Sequence, residues 1–200
     1  PDPIATTGAI GVDLGVKNLA VTDDGQTFSG DGVEACRQRY GTLRKALNQC
    51  GSKSARRHLR KIRRREANFR RDQNHIISKR IVAKAKDTGC AITLEDLQGV
   101  GDRTTARKAE RNRLRGWAFY QLRSFISYKG LQAGIPIILV DPRNTSRTCS
   151  ACGHCEKRNR KSRDEFVCKH CGYSAPADWN AAKNIRIKAL RAQVMAPIAG

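Results

Sequence analysis

Four cysteines constrain this chain more than any other feature. Cys149/Cys152 and Cys168/Cys171 form two Cys-x-x-Cys knuckles, and each knuckle runs into a glycine, Gly153 or Gly172. A tight turn of this kind points two thiolates at one ion, and four sulfurs complete a closed tetrahedral site. The spacing predicts one structural Zn²⁺ in a zinc ribbon, inserted at 147–176 between a larger first part, 1–146, and a short last part, 177–200. Cys155 follows Cys152 closely enough to compete as a ligand; the simpler reading makes it a bystander thiol on the loop between knuckles. Cys36, Cys50 and Cys90 are scattered. Knuckle spacing in so basic a chain argues for a reducing cytoplasm and against disulfides.

Charge narrows the partners. Lysine and arginine number 39 against 18 acidic residues, a net charge of +21. Such a chain repels itself, so a polyanion is the expected partner, nucleic acid ahead of membrane. No apolar run approaches the ~18 residues of a bilayer-spanning helix, and there is no secretory signal. The chain begins Pro1-Asp2-Pro3 and has one methionine, Met195, which suggests a trimmed or partial polypeptide.

In order along the chain, residues 9–14 read as a buried strand carrying one acid, Asp13. Asn18 to Thr22 and Gln26 to Ser29 read as the next two strands, joined by an Asp23-Asp24-Gly25 turn. An aspartate in an apolar strand is costly unless it is paired or binds metal, and this strand alone fits either reading. Residues 34–50 look helical, with a break near Gly41. The segment from Lys53 to Arg71 is the most basic, with Arg56, Arg57, Arg60, Lys61, Arg63, Arg64, Arg65, Arg70 and Arg71. Ala55, Leu59, Ile62, Phe69, Ile76 and Ile77 recur by threes and fours, with Glu66 and Gln73 continuing the stripe. That pattern predicts a long helix to about Lys86 with a narrow apolar seam and a wide basic face. With few acids to pair it, the face reads as a phosphate-binding surface more than a solvated charge run.

A second buried strand, Cys90 to Leu97, ends in Glu95 and Asp96. Alternation sends these two to opposite faces, so only one can join Asp13. A Gly99-Val100-Gly101 turn and a basic loop through Arg115 follow. Trp117 to Ala133 reads as an amphipathic helix with Trp117, Tyr120, Leu122, Phe125, Tyr128 and Leu131 on its apolar side. Ile135 to Val140 reads as a buried strand. Asp178 opens a final helix, packed through Ala181, Ala182, Ile185, Ala189 and Leu190. A sheet with acids on its first and fourth strands, crossed by a helix starting with a third acid, gathers three carboxylates. Hard oxygen donors of that kind suit Mg²⁺ or Mn²⁺, and two such ions would serve hydrolysis of a phosphodiester.

GVDLGVKNLAV (11–21), ITLEDL (92–97), GWAFYQL (116–122), VDPRNTSRTCSACGH (140–154) and ADWNAAKNI (177–185) together resemble the OrfB/TnpB proteins of bacterial insertion sequences. Those are transposon-encoded, RNA-guided DNA endonucleases related to type V CRISPR effectors. The resemblance implies an α/β, RNase H-like (RuvC) fold: a mixed sheet flanked by helices and interrupted by a zinc ribbon. It implies catalytic, Mg²⁺-binding acids at Asp13, Glu95 and Asp178, and zinc at Cys149, Cys152, Cys168 and Cys171. Asn180 and Asn184 match the last motif, with a supporting role near the third acid. The partners it implies are DNA, held as a single strand in the active site, and a guide RNA for the full-length family. The setting it implies is a bacterial or archaeal cytoplasm, with the nucleoid. The family's usual guide-holding N-terminal half is not matched. Two other readings fit zinc and charge: a non-cleaving zinc-ribbon DNA-binding or regulatory protein, and a structural nucleic-acid partner. Neither has a use for three acids.

Overall fold

The computed structural model describes residues 4–97 and 119–195. The Gly99–Arg115 loop, Trp117 and the end of the tail lie outside the described residues. Strand β1 (Gly8–Asp13) is followed by β2 (Asn18–Thr22) and β3 (Thr27–Ser29), which pair antiparallel in turn. Helices α1 (Asp31–Cys50) and α2 (Lys53–Thr88) come next, then β4 (Cys90–Glu95). Helix α3 (Phe119–Gln132) leads to β5 (Ile137–Val140). A two-stranded sheet, β6 (Glu165–Val167) and β7 (Ser174–Pro176), precedes α4 (Ala177–Met195). The main sheet has the order β3-β2-β1-β4-β5, with β1, β4 and β5 parallel. The result is a mixed sheet between helices, as the sequence predicts.

Alternation along β1 and β4 decides what each face holds. Ile10, Val12, Ile92 and Leu94 point to one side and meet Ile77, Ile81, Val82 and Ala85 of α2 and Leu122 and Ile126 of α3. Ala9 points to the other side, where Ile185 and Ala189 of α4 join Val140. Gly11 shares that second face, and α4 crosses β1 there. A Cβ on Gly11 would lie 2.1 Å from the Ala182 carbonyl oxygen, so only glycine admits the helix at this depth.

Several helical expectations need correction. No break occurs near Gly41: α1 runs unbroken for 20 residues. One interior glycine costs about 1 kcal/mol, and the long packing of α1 along α2 outweighs it. The Arg44–Glu66 ion pair joins the two helices, so buried Glu66 is a paired charge within the seam. Gly51, at φ 63°, ends α1, and the Ser52 hydroxyl accepts from the Ala55 amide to cap α2. The seam bends away from Ile76, which is 46% exposed, and continues through Asn74, Ile77, Ser78, Ile81, Val82 and Ala85. In α3 the packed face is Leu122, Ile126 and Gly130, whereas Tyr120, Tyr128 and Leu131 are exposed. Gly130 is where Ile137 presses against the helix. The last strand is not fully buried either: β5 lies at the sheet edge, and its Leu139 is exposed.

Candidate active site

Strand register brings the first two acids together. Val12 stands opposite Leu94 in the parallel β1–β4 pair. Asp13 and Glu95 are therefore the next neighbours along it, both on the α4 face at the carboxyl ends of the strands. Adjacent strands lie ~4.8 Å apart. The third acid arrives from the other direction. Because Gly11 lets α4 settle onto β1, the first turn of α4, with Asp178, overhangs the same strand ends. Asp96, one residue on, turns to the opposite side and accepts from Arg123 of α3 at 3.0 Å, as alternation predicts.

Asp13, Glu95 and Asp178 line one cleft of about 290 Å³. Each flanking carboxylate is held by a neutral donor. The Thr145 hydroxyl reaches Glu95 Oε1 at 2.6 Å, and Asn18 Nδ2 donates to Asp178 Oδ2 at 2.9 Å. Burial, reinforced by the negative charges of Glu95 and Asp178, holds the Asp13 carboxyl well above the usual carboxylate range. Burial raises Glu95 too, against the opposing Thr145 hydrogen bond. Arg160 and Arg163, between the knuckles, and Lys17, after β1, also line the cleft. Lys17 bridges to Asp164 at 2.7 Å, joining the β1–β2 loop to the cysteine module.

The four cysteines form a different kind of site. Their sulfurs all lie within 4.8 Å of one another, with Cys149 and Cys171 at 3.7 Å and Cys152 and Cys168 at 3.6 Å. Thiolates bound tetrahedrally at about 2.3 Å stand about 3.8 Å apart, so the set fits Zn²⁺. The two knuckles repeat one hydrogen-bond pattern. Cys149 N–H donates to His154 O and Gly153 N–H to Cys149 O; Cys168 N–H donates to Tyr173 O and Gly172 N–H to Cys168 O. Gly153 and Gly172 adopt φ of 77° and 74°, which explains a glycine after each knuckle. Cys155 is exposed and outside the set.

Asn180 and Asn184 are buried and act between the two sites. Asn180 Nδ2 donates to Thr148 O at 2.9 Å and its Oδ1 accepts from Ser150 N–H at 3.0 Å. Asn184 Nδ2 donates to Thr145 O at 2.8 Å and Thr148 O at 2.7 Å. They fasten the segment leading into Cys149 to the helix that carries Asp178. The basic residues of α2 lie elsewhere: Arg56, Arg57, Arg60, Lys61, Arg63, Arg64, Arg65, Arg70 and Arg71 do not line the cleft. Sequence reasoning did not single out Thr145, Asn18, Lys17, Arg160 or Arg163. The basic run around Arg160 and Arg163 was the available signal for those two; Lys17 and Asn18 lie inside the 11–21 motif and Thr145 inside the 140–154 motif, but only the tertiary fold shows what they touch.

Residues 1–99 match a family model described as "Probable transposase" (OrfB_IS605), and residues 119–185 match the Cas12f1-like TNB domain. A Cas12f1 CRISPR-associated endodeoxyribonuclease from Sulfoacidibacillus thermotolerans is 42% identical over 130 residues, 64% of this chain and 29% of the relative. "Putative RNA-guided DNA endonuclease InsQ" of Escherichia coli K12 is 32% identical over 88% of this chain and 48% of the relative. A cryo-EM structure of a Cas12f1–sgRNA–target DNA complex superposes with a TM-score of 0.71 at 26% identity, covering 93% of this chain and 50% of that one. The chain thus spans at most about half the length of these relatives. With both family models matching in order along one fold, the chain belongs to the OrfB/TnpB family of insertion-sequence proteins.

Proposed function

We propose that the chain is the catalytic portion of a divalent-metal-dependent DNA endonuclease: an RNase H-like, RuvC-type fold with a zinc ribbon inserted at 147–176. The observation that carries this reading is the convergence of Asp13, Glu95 and Asp178 on one cleft from three elements far apart in sequence. The donor set is all carboxylate oxygen, the chemistry that Mg²⁺ or Mn²⁺ takes. Burial first, and then the charges of Glu95 and Asp178, raise the Asp13 carboxyl, and a cation would offset both. Bound divalent ions, two in this reading, supply an activated water and stabilise the leaving 3′-oxygen.

The chain's own residues divide the remaining work. Asp13, which feels the charge of both other acids, would hold the divalent ions together with Glu95 and Asp178. Asn18 and Thr145 keep the flanking carboxylates turned toward the cleft. Lys17, Arg160 and Arg163 supply positive charge for the phosphodiester, seating one DNA strand against the acids. The exposed basic face of α2 provides phosphate contacts outside the cleft, to DNA or to guide RNA. That guide is a partner of the longer protein, in keeping with relatives named as RNA-guided endonucleases. A bacterial or archaeal cytoplasm is the matching setting. The four cysteines leave no open coordination position for water, so zinc is structural here. A non-cleaving binding protein is less well supported, because binding polyanions gives no reason to hold Asp13 against two further acids.

The test is cleavage of single-stranded DNA with Mg²⁺ or Mn²⁺. Asp13→Ala, Glu95→Ala and Asp178→Ala should each eliminate cutting, with DNA affinity kept or slightly raised as negative charge leaves the cleft. Parental cutting by any of the three contradicts the assignment.

A further inference from the structure

Thr145 lies inside the 140–154 motif, where the sequence gives it no role of its own, yet it occupies the junction of both candidate metal sites. It is buried at 3% exposure, in the turn after β5. That turn is specified closely. Asn144 adopts the left-handed conformation at φ 63°, which asparagine tolerates better than most residues. The Arg147 and Thr148 amides donate to Asn144 O at 3.0 and 2.9 Å. The product is a hydroxyl 2.6 Å from Glu95 Oε1 and 2.9 Å from Pro142 O.

A hydroxyl has one proton and can serve one of those two acceptors at a time. The shorter contact is to Glu95 Oε1, and it holds that carboxylate oxygen toward the wall of the cleft, leaving Oε2 for the cleft itself. The backbone of Thr145 is fixed in turn: Asn184 Nδ2 donates to its carbonyl at 2.8 Å, from the helix that begins with Asp178.

We infer that Thr145 is a positioning residue that aims Glu95 at the divalent cation, locked by Asn184 to the helix bearing Asp178. The inference rests on the metal-dependent reading of the cleft. It places Thr145 in the shell behind a metal ligand, where losing a hydrogen bond costs about 10- to 100-fold in metal affinity.

The experiment is Mn²⁺ binding to the zinc-loaded chain by calorimetry, comparing the parent with Thr145→Val and Thr145→Ser. The valine keeps the shape and loses the hydroxyl; the serine keeps the hydroxyl. Thr145→Val should weaken Mn²⁺ about 10- to 100-fold. Thr145→Ser should return toward the parent, and DNA affinity without divalent ions should not move in either. If the valine variant does not fold, Thr145→Ala should give the same loss. Parental Mn²⁺ affinity in the variants lacking the hydroxyl overturns the proposal, and so does a loss that serine fails to restore. Asp13→Ala and Glu95→Ala serve as references. If they lose Mn²⁺ while Thr145→Val keeps it, the role of Thr145 alone fails. If they too bind Mn²⁺ like the parent, or the parent binds none, the metal-dependent reading falls and takes this proposal with it.

Discussion

The cysteine module and the carboxylate cleft share a wall of the molecule but are built by opposite means. The four cysteines lie between Cys149 and Cys171, and two copies of one backbone turn aim them. The three acids span Asp13 to Asp178 and meet only because β1 and β4 pair in a fixed register and α4 docks at Gly11. One set is soft, tight and closed; the other is hard and open to a cleft. Closeness in sequence suits a site whose task is to fold a small module. Distance in sequence makes a site depend on the whole sheet, since its three acids meet only when the fold is complete.

The largest effect should come from dismantling the local site. Structural zinc in small zinc-finger peptides is worth about 10–16 kcal/mol. Metal analysis should find about one zinc per chain, and Cys168→Ser should expose 147–176 to amide exchange while the β1–β4 core stays protected. Uniform parental protection in the variant would deny the module its dependence on metal.

The distributed site should respond to pH instead. A carboxyl held above its ordinary pKa binds more protons in the folded chain than in the unfolded one. Its contribution to stability therefore falls as pH rises from the ordinary carboxylate range, about pH 4, through the raised native value of Asp13. Zinc-loaded protein without Mg²⁺ should lose stability over that range relative to Asp13→Asn. Mg²⁺, which needs ionised ligands, should stabilise the parent more at about pH 8 than at about pH 5, by about 1.4 kcal/mol per pKa unit displaced. Parallel melting curves for parent and Asp13→Asn would show that Asp13 carries no such burden.

The same contrast explains what was legible in the sequence. The cysteine set was readable from spacing, because its geometry is local. Asp13 was visible as an acid in an apolar strand, and the alternation of Glu95 and Asp96 was correct in leaving one acid for each face. The resemblance named Glu95 and Asp178; the fold puts both in the cleft. Pattern reading failed where tertiary packing decides. Leu122, Ile126 and Gly130 won the inner face of α3 over Tyr120, Tyr128 and Leu131, because Ile137 closes on Gly130. Asn180 and Asn184, which the resemblance placed in a supporting role near the third acid, are buried, with their amides spent on the backbone of 145–150. No periodicity announces a polar residue that satisfies carbonyls contributed by another segment.

A smaller effect should separate the cleft's cations from those of α2. Replacing Arg63, Arg64 and Arg65 with alanine leaves Arg160 and Arg163 in place. If all three meet phosphate, the slope of log affinity against log salt should flatten by about 2.1 on single strands or about 2.7 on duplex. An unchanged slope would leave the cleft as the sole phosphate surface of the two and return that face of α2 to solvent or to another part of a longer protein.

The central claim is that Asp13, Glu95 and Asp178 jointly hold divalent cations. The most direct measurement is anomalous scattering from crystals of the zinc-loaded chain soaked in Mn²⁺. Two manganese peaks should appear in the cleft, about 3.5–4 Å apart, with Asp13 touching both and the zinc peak undisturbed among the four cysteines. A filled cysteine site beside a cleft that takes no manganese at saturating concentration would contradict the account.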